Sequence, residues 1–77
     1  MYHTTSLLDT AFLNAQGRPT VSLKARGSLI LFSIDVDEHE AEALLRSPDY
    51  VVCERFSRAW RELRRRMDRL DTGGHRP

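Results

Sequence analysis

The stretch Leu29–Leu45, LILFSIDVDEHEAEALL, constrains this chain most. It opens as an apolar, β-prone run and closes as an acidic run with helical spacing, and the change falls within Ile34-Asp35-Val36-Asp37. A period of two belongs to a strand and a period of 3.6 to a helix. One chain that holds both, joined by four residues, must fold with a strand feeding directly into a helix. Asp37 fits an N-cap, with Glu40 three residues on in the place of a capping box and Val36 with Ala41 as the hydrophobic staple. Acids in the first turn also suit the positive end of the helix dipole. Ala41, Leu44 and Leu45 then face the core, and Pro48 stops the helix near Arg46.

Upstream, Val21–Ala25 alternates, with Val21, Leu23 and Ala25 on one face and Ser22 and Lys24 on the other. Arg26-Gly27 is read as a two-residue hairpin turn, returning through Ser28–Ile34. That turn pairs Ala25 with Ser28, Leu23 with Ile30 and Val21 with Phe32. Ile30, Phe32 and Ile34 join the apolar face, while Leu29 and Leu31 lie on the opposite one. A sheet with one helix-covered side needs only one apolar face. Leu29 and Leu31 therefore call for cover from elsewhere in the chain or from a second copy.

Residues 5–13 admit two readings. Ser6-Leu7-Leu8-Asp9 has capping-box spacing, with Leu7, Leu8, Ala11 and Phe12 as a stripe and Gly17 as the stop. Alternatively Thr10–Asn14 is a strand entering the loop Asn14–Pro19, and the Thr-rich flanks and Gly/Pro loop favour this hairpin.

Downstream, Ser47 is a plausible N-cap with Pro48 at the first helical position, and Tyr50-Val51-Val52 pulls toward a later start. The helix runs to about Leu70. Cys53, Phe56, Trp60, Leu63, Met67 and Leu70 step by alternating threes and fours, an unbroken a/d stripe. Its outer side carries Arg55, Arg58, Arg61, Arg64, Arg65, Arg66 and Arg69. Glu54–Arg58 and Glu62–Arg66 are paired at i,i+4 in the favourable orientation. Cys53 is read as a small buried hydrophobe. The tail Asp71–Pro77 has nothing to bury and is expected to be disordered.

The expected fold class is therefore α+β: a small antiparallel sheet of two or three strands packed against two helices, the second long. Residues 1–70 form one domain. At 77 residues such a chain buries only about 60% of its unfolded surface, so it needs a staple. Its single cysteine excludes an internal disulfide and no metal-ligand spacing exists. A homodimer, through Leu29/Leu31 or through the Cys53–Leu70 stripe, is the available solution. No cofactor is expected. No apolar run approaches the roughly 18 residues of a membrane span, and MYHTTSLLD lacks the basic and apolar regions of a signal peptide. A free cysteine fits a reducing cytoplasm.

Net charge is +1, but its layout is uneven. Residues 35–42 hold Asp35, Asp37, Glu38, Glu40 and Glu42 with no Lys or Arg, between a basic N-terminal part and an Arg-rich C-terminal part. Asp35, Asp37, His39 and Glu40 fail as a metal site, because the capping pattern bends the chain between them. The same acids look solvated, which argues against acid/base catalysis. Five acids in eight residues exceed what capping requires, and a dense acidic patch can stand in for phosphate on a basic protein surface. The Arg face suggests phosphate contacts instead, diluted by Glu54, Glu62 and Asp68 and without a recognisable nucleic-acid-binding motif.

Two resemblances add to this. The segments VSLKARGSLILFSIDVDEHEAEALL and ERFSRAWRELRRRM are similar to a family of short bacterial proteins of unknown function, built as strand, Gly turn, strand, an acidic IS-x-EAL-like helix start and a helix opening on Phe. Gly27, Ile34, Glu42-Ala43-Leu44 and Phe56 stand in that order here. The chain as a whole resembles the small phage-encoded anti-CRISPR proteins, in the group that inhibits type I-C systems. That likeness lies in size, Arg/Ala/Leu usage, sheet-plus-two-helix layout and acidic patch. It implies a non-enzymatic inhibitor in the bacterial cytoplasm that binds a surveillance-complex subunit and blocks target DNA, with Asp35, Asp37, Glu38, Glu40 and Glu42 as contact residues. The alternative is a small nucleic-acid-binding regulator that uses the Arg-rich helix.

Overall fold

A computed structural model describes residues 1–72, with side chains described through Leu70. The order is β1 (Tyr2–Thr4), α1 (Leu7–Ala15), β2 (Thr20–Arg26), β3 (Leu29–Ile34), α2 (Glu38–Leu45) and α3 (Pro48–Thr72). The fold is α+β: one antiparallel sheet in the order β1-β3-β2, with a long final helix. Thr72 is the last described residue, so the tail expected to be disordered lies mostly outside the described residues.

The hairpin forms with a slipped register. Arg26 pairs with Leu29, Ala25 with Ile30 and Leu23 with Phe32, so the turn is Gly27-Ser28 rather than Arg26-Gly27. Gly27 has φ +59, and glycine is the residue type favoured at the first central position of a tight hairpin turn. The slip is two residues, so Leu23 and Ala25 keep their predicted face. A bulge at Val21 then shifts the pairing to Thr20 opposite Ile34.

Leu7–Ala15 form helix α1 with Ser6 as its N-cap, not the favoured strand. Three features explain this. Ser6 Oγ accepts from Asp9 N at 3.1 Å. At the other end Arg18 N and Gly17 N donate to Leu13 O and Asn14 O, each at 3.0 Å, with Gly17 at φ +85, a full Schellman closure. Both edges of β3 are already taken, by β2 and by the unforeseen β1. The buried face of α1 is Thr10, Phe12 and Leu13, while Leu7 and Ala11 stay exposed. That face is rotated from the expected stripe of Leu7, Leu8, Ala11 and Phe12.

The core is thin. Leu13, Ile34, Val36 and Ala41 form its buried cluster, with Tyr2, Leu44 and Leu45 packed at its margin. Val36 and Ala41 are the two staple positions of α2, and Asp37 Oδ2 caps that helix by accepting from His39 N at 3.0 Å. Ser47 caps α3 through Tyr50 N, with Pro48 at the first helical position. The β-prone Tyr50-Val51-Val52 does not delay the start. The helix-covered sheet face is buried at Phe32 and Ile34 but open at Ile30 and Leu23.

Candidate functional site

Two surfaces concentrate chemistry: the acidic turn between β3 and α2, and the outer face of α3. The five predicted acids differ in what each one engages. Asp35 is exposed, and its N–H is tied to Pro19 O at 2.9 Å. Asp37 is exposed but engaged as the α2 cap. Glu38 is exposed in the first helical turn. Glu40 turns inward: its Oε2 is shut off from solvent and meets the Arg18 guanidinium, tying the loop after α1 to α2. It therefore does not close the predicted capping box onto Asp37. Glu42 lies 3.8 Å from Arg46 across one turn. Glu42 is exposed as well but paired with Arg46, so among the described residues the exposed acids of this block outside an ion pair are Asp35, Asp37 and Glu38. Burial first, then the charges of Asp9 and Glu42 and least that of Glu38, raise the Tyr2 phenol above its ordinary pKa.

Helix α3 spans 25 residues, about 37 Å at 1.5 Å per residue. Its seat on the domain is one row, Tyr50, Glu54 and Ser57, its only half-buried residues among those described. Tyr50 stacks edge-on against Phe12, centroids 5.2 Å apart, and its hydroxyl donates to Asp9 Oδ1. That bond, with burial and the Asp9 charge behind it, pushes the Tyr50 pKa up to about 12. The phenol stays protonated and acts as a fastener, unsuited to a catalytic base.

The row 50-54-57 lies about a third of a turn around the helix from the apolar stripe, so the stripe runs along the flank of α3 and outside its seat. Phe56 is 65% exposed, Trp60 54%, Leu63 56%, Met67 60% and Leu70 66%. Cys53 is exposed as well, which corrects the reading of it as a buried hydrophobe. These residues are not core. Near the domain, Leu8, Val52, Cys53, Phe56, Ser57 and Trp60 line a shallow trough between α1 and α3. The predicted Glu62–Arg66 pair is replaced by Glu62–Arg65 at 3.5 Å, while Glu54–Arg58 is present at 3.7 Å. All seven arginines from Arg55 to Arg69 are exposed.

The sheet face of Leu29 and Leu31 is a weaker candidate. Leu29 is 56% exposed and Leu31 partly covered, but Arg26 and Lys24 stand directly across from them. Among the described residues no group of three His, Cys, Asp or Glu side chains is placed to hold a metal ion, and no helix is long and apolar enough to cross a membrane. No protein-family model, curated protein or solved structure matches the chain.

Proposed function

We propose that this chain is a non-enzymatic protein-binding module, working as a homodimer, that occupies a basic nucleic-acid-binding surface of a larger assembly. The observation that carries this reading is the exposed trio Asp35, Asp37 and Glu38 where β3 passes into α2. Clustered carboxylates held on a strand end and a capped helix present fixed negative charge at low ordering cost. Following the anti-CRISPR resemblance, the partner is a subunit of a type I-C surveillance complex in a bacterial cytoplasm, and the outcome is exclusion of target DNA.

A mobility-shift assay of target duplex with that complex tests it. Added protein should abolish the complex's shift, and the double variant Asp35→Lys with Glu38→Lys should restore it. Those two positions are chosen because Glu40 and Asp37 also hold the fold, through Arg18 and the α2 cap. Undiminished inhibition by the folded double variant would remove the acidic surface from the mechanism.

A second reading, direct nucleic-acid binding, draws on the exposed arginines of α3. It requires the protein alone to shift duplex, with an affinity that falls steeply with salt. Loss of that shift on replacing Arg58, Arg61 and Arg65 would locate it on the helix.

A further inference from the structure

We infer that the bare stripe of α3 is covered by α3 of a second copy, antiparallel, with the two-fold axis passing between Trp60 and Leu63. This commits the homodimer to one surface and one direction, and it does not depend on the acidic turn.

The open area is sufficient. Taking about 200 Å² for an aromatic side chain, Phe56 and Trp60 alone leave roughly 240 Å² of ring uncovered. Val52, Leu63, Met67 and Leu70 are each more than half exposed beside them. Together they exceed the scattered apolar exposure of ordinary monomers and approach the several hundred Å² per partner of a small specific interface.

Spacing and charge set the direction. In heptad terms Cys53, Trp60 and Met67 are a positions, and Phe56, Leu63 and Leu70 are d positions. Antiparallel pairing about the Trp60/Leu63 midpoint opposes Trp60 to Leu63, Phe56 to Met67 and Cys53 to Leu70. The flanks of the stripe are uncharged near the domain (Val52, Ser57, Ala59) and cationic farther out (Arg64, Arg66). The antiparallel pair sets Arg64 and Arg66 of each copy beside the uncharged Ala59 and Ser57 of the other, and opposes the helix dipoles favourably. It also lays the outer half of each α3, wholly exposed in one copy, over the trough formed by Leu8, Val52, Cys53 and Phe56 of the other.

The single cysteine makes the direction measurable. In the antiparallel pair the two Cys53 residues stand about 25 Å apart along the axis, far beyond the roughly 7 Å Cα limit of a disulfide. Wild type should sediment as a dimer at tens of micromolar, yet run as a monomer on a non-reducing gel after mild oxidation. Leu70→Cys should convert almost fully to a covalent dimer, and Leu70→Cys combined with Cys53→Ser should not. The pair Phe56→Cys with Met67→Cys in a Cys53→Ser background gives an independent check at a second level. Covalent dimer from wild type would establish the parallel arrangement and overturn the proposal. So would a sedimenting monomer, or a dimer that neither cysteine pair can lock.

Discussion

The substitution Leu63→Ala separates a residue that serves association from one that serves folding. Leu63 is 56% exposed in one copy. Burying a leucine fully contributes about 1.5–3 kcal/mol, so covering the open part contributes about 1 kcal/mol per copy and, by symmetry, about 2 kcal/mol per dimer. At 1.4 kcal/mol per decade this is a roughly 30-fold weaker Kd. Trp60 is the sole tryptophan and is half exposed, so its emission reports its own covering. Dilution of wild type should move the emission from blue to red, and Leu63→Ala should move that midpoint to roughly 30-fold higher concentration. Far-UV signal and unfolding free energy of the dilute monomer should agree with wild type within about 0.5 kcal/mol, as for a surface substitution. An unchanged midpoint would refute the role of the stripe. A destabilised monomer would show that Leu63 packs within its own chain.

Gly17→Ala should cost about 1 kcal/mol or slightly more, a fall of roughly 4–8 °C in Tm, because φ is +85 while no atom lies within 4 Å of the added Cβ, so the whole effect is backbone strain. Tyr50 has a folded pKa of about 12 against an ordinary 10.0. Its contribution is therefore complete below pH 10 and is lost as pH rises toward 12, and denaturant midpoints of wild type and Tyr50→Phe should converge across that window. Raising salt to about 0.5 M should tighten the wild-type dimer, because residues 54–69 of each copy carry seven Arg against Glu54, Glu62 and Asp68 and salt screens that repulsion; a dimer that weakens with salt would refute this.

Much of this fold was legible locally. The switch at Ile34–Asp37, the cap and staple of α2, Ser47-Pro48 opening α3 and the two faces of the hairpin all rest on residues a few positions apart. Misread features depended on distant partners. Residues 5–13 carry signals for both strand and helix, and the choice depends on β1 and β2 both occupying β3. Strand β1 is three residues, Tyr2-His3-Thr4, too short to display a period, though two of the three are β-prone. The acidic block was legible as composition but not as geometry. Glu40 turns inward only because the Schellman closure at Gly17 delivers Arg18 beside α2. Likewise the a/d stripe revealed an apolar face but not which way it points, since Tyr50, Glu54 and Ser57 give no hydropathy signal.

That last choice governs the molecule. A helix normally seats its apolar side on its own domain. Here α3 is held by the Phe12–Tyr50 ring contact and the Tyr50–Asp9 hydrogen bond, fasteners on a different row. The domain beneath has a buried cluster of only four residues, too little to order the helix beyond Ser57, whose residues from Arg58 to Leu70 are all exposed. Within that outer half, local support includes the Glu62–Arg65 pair and the Arg61–Ser57 contact, and such contacts are worth only tenths of a kcal/mol each. Helices without tertiary packing are marginal in water. Order in the outer half of α3 and covering of its stripe are therefore one requirement. A second copy meets it with the same residues that create it, and leaves Asp35, Asp37 and Glu38 of both copies outside the interface.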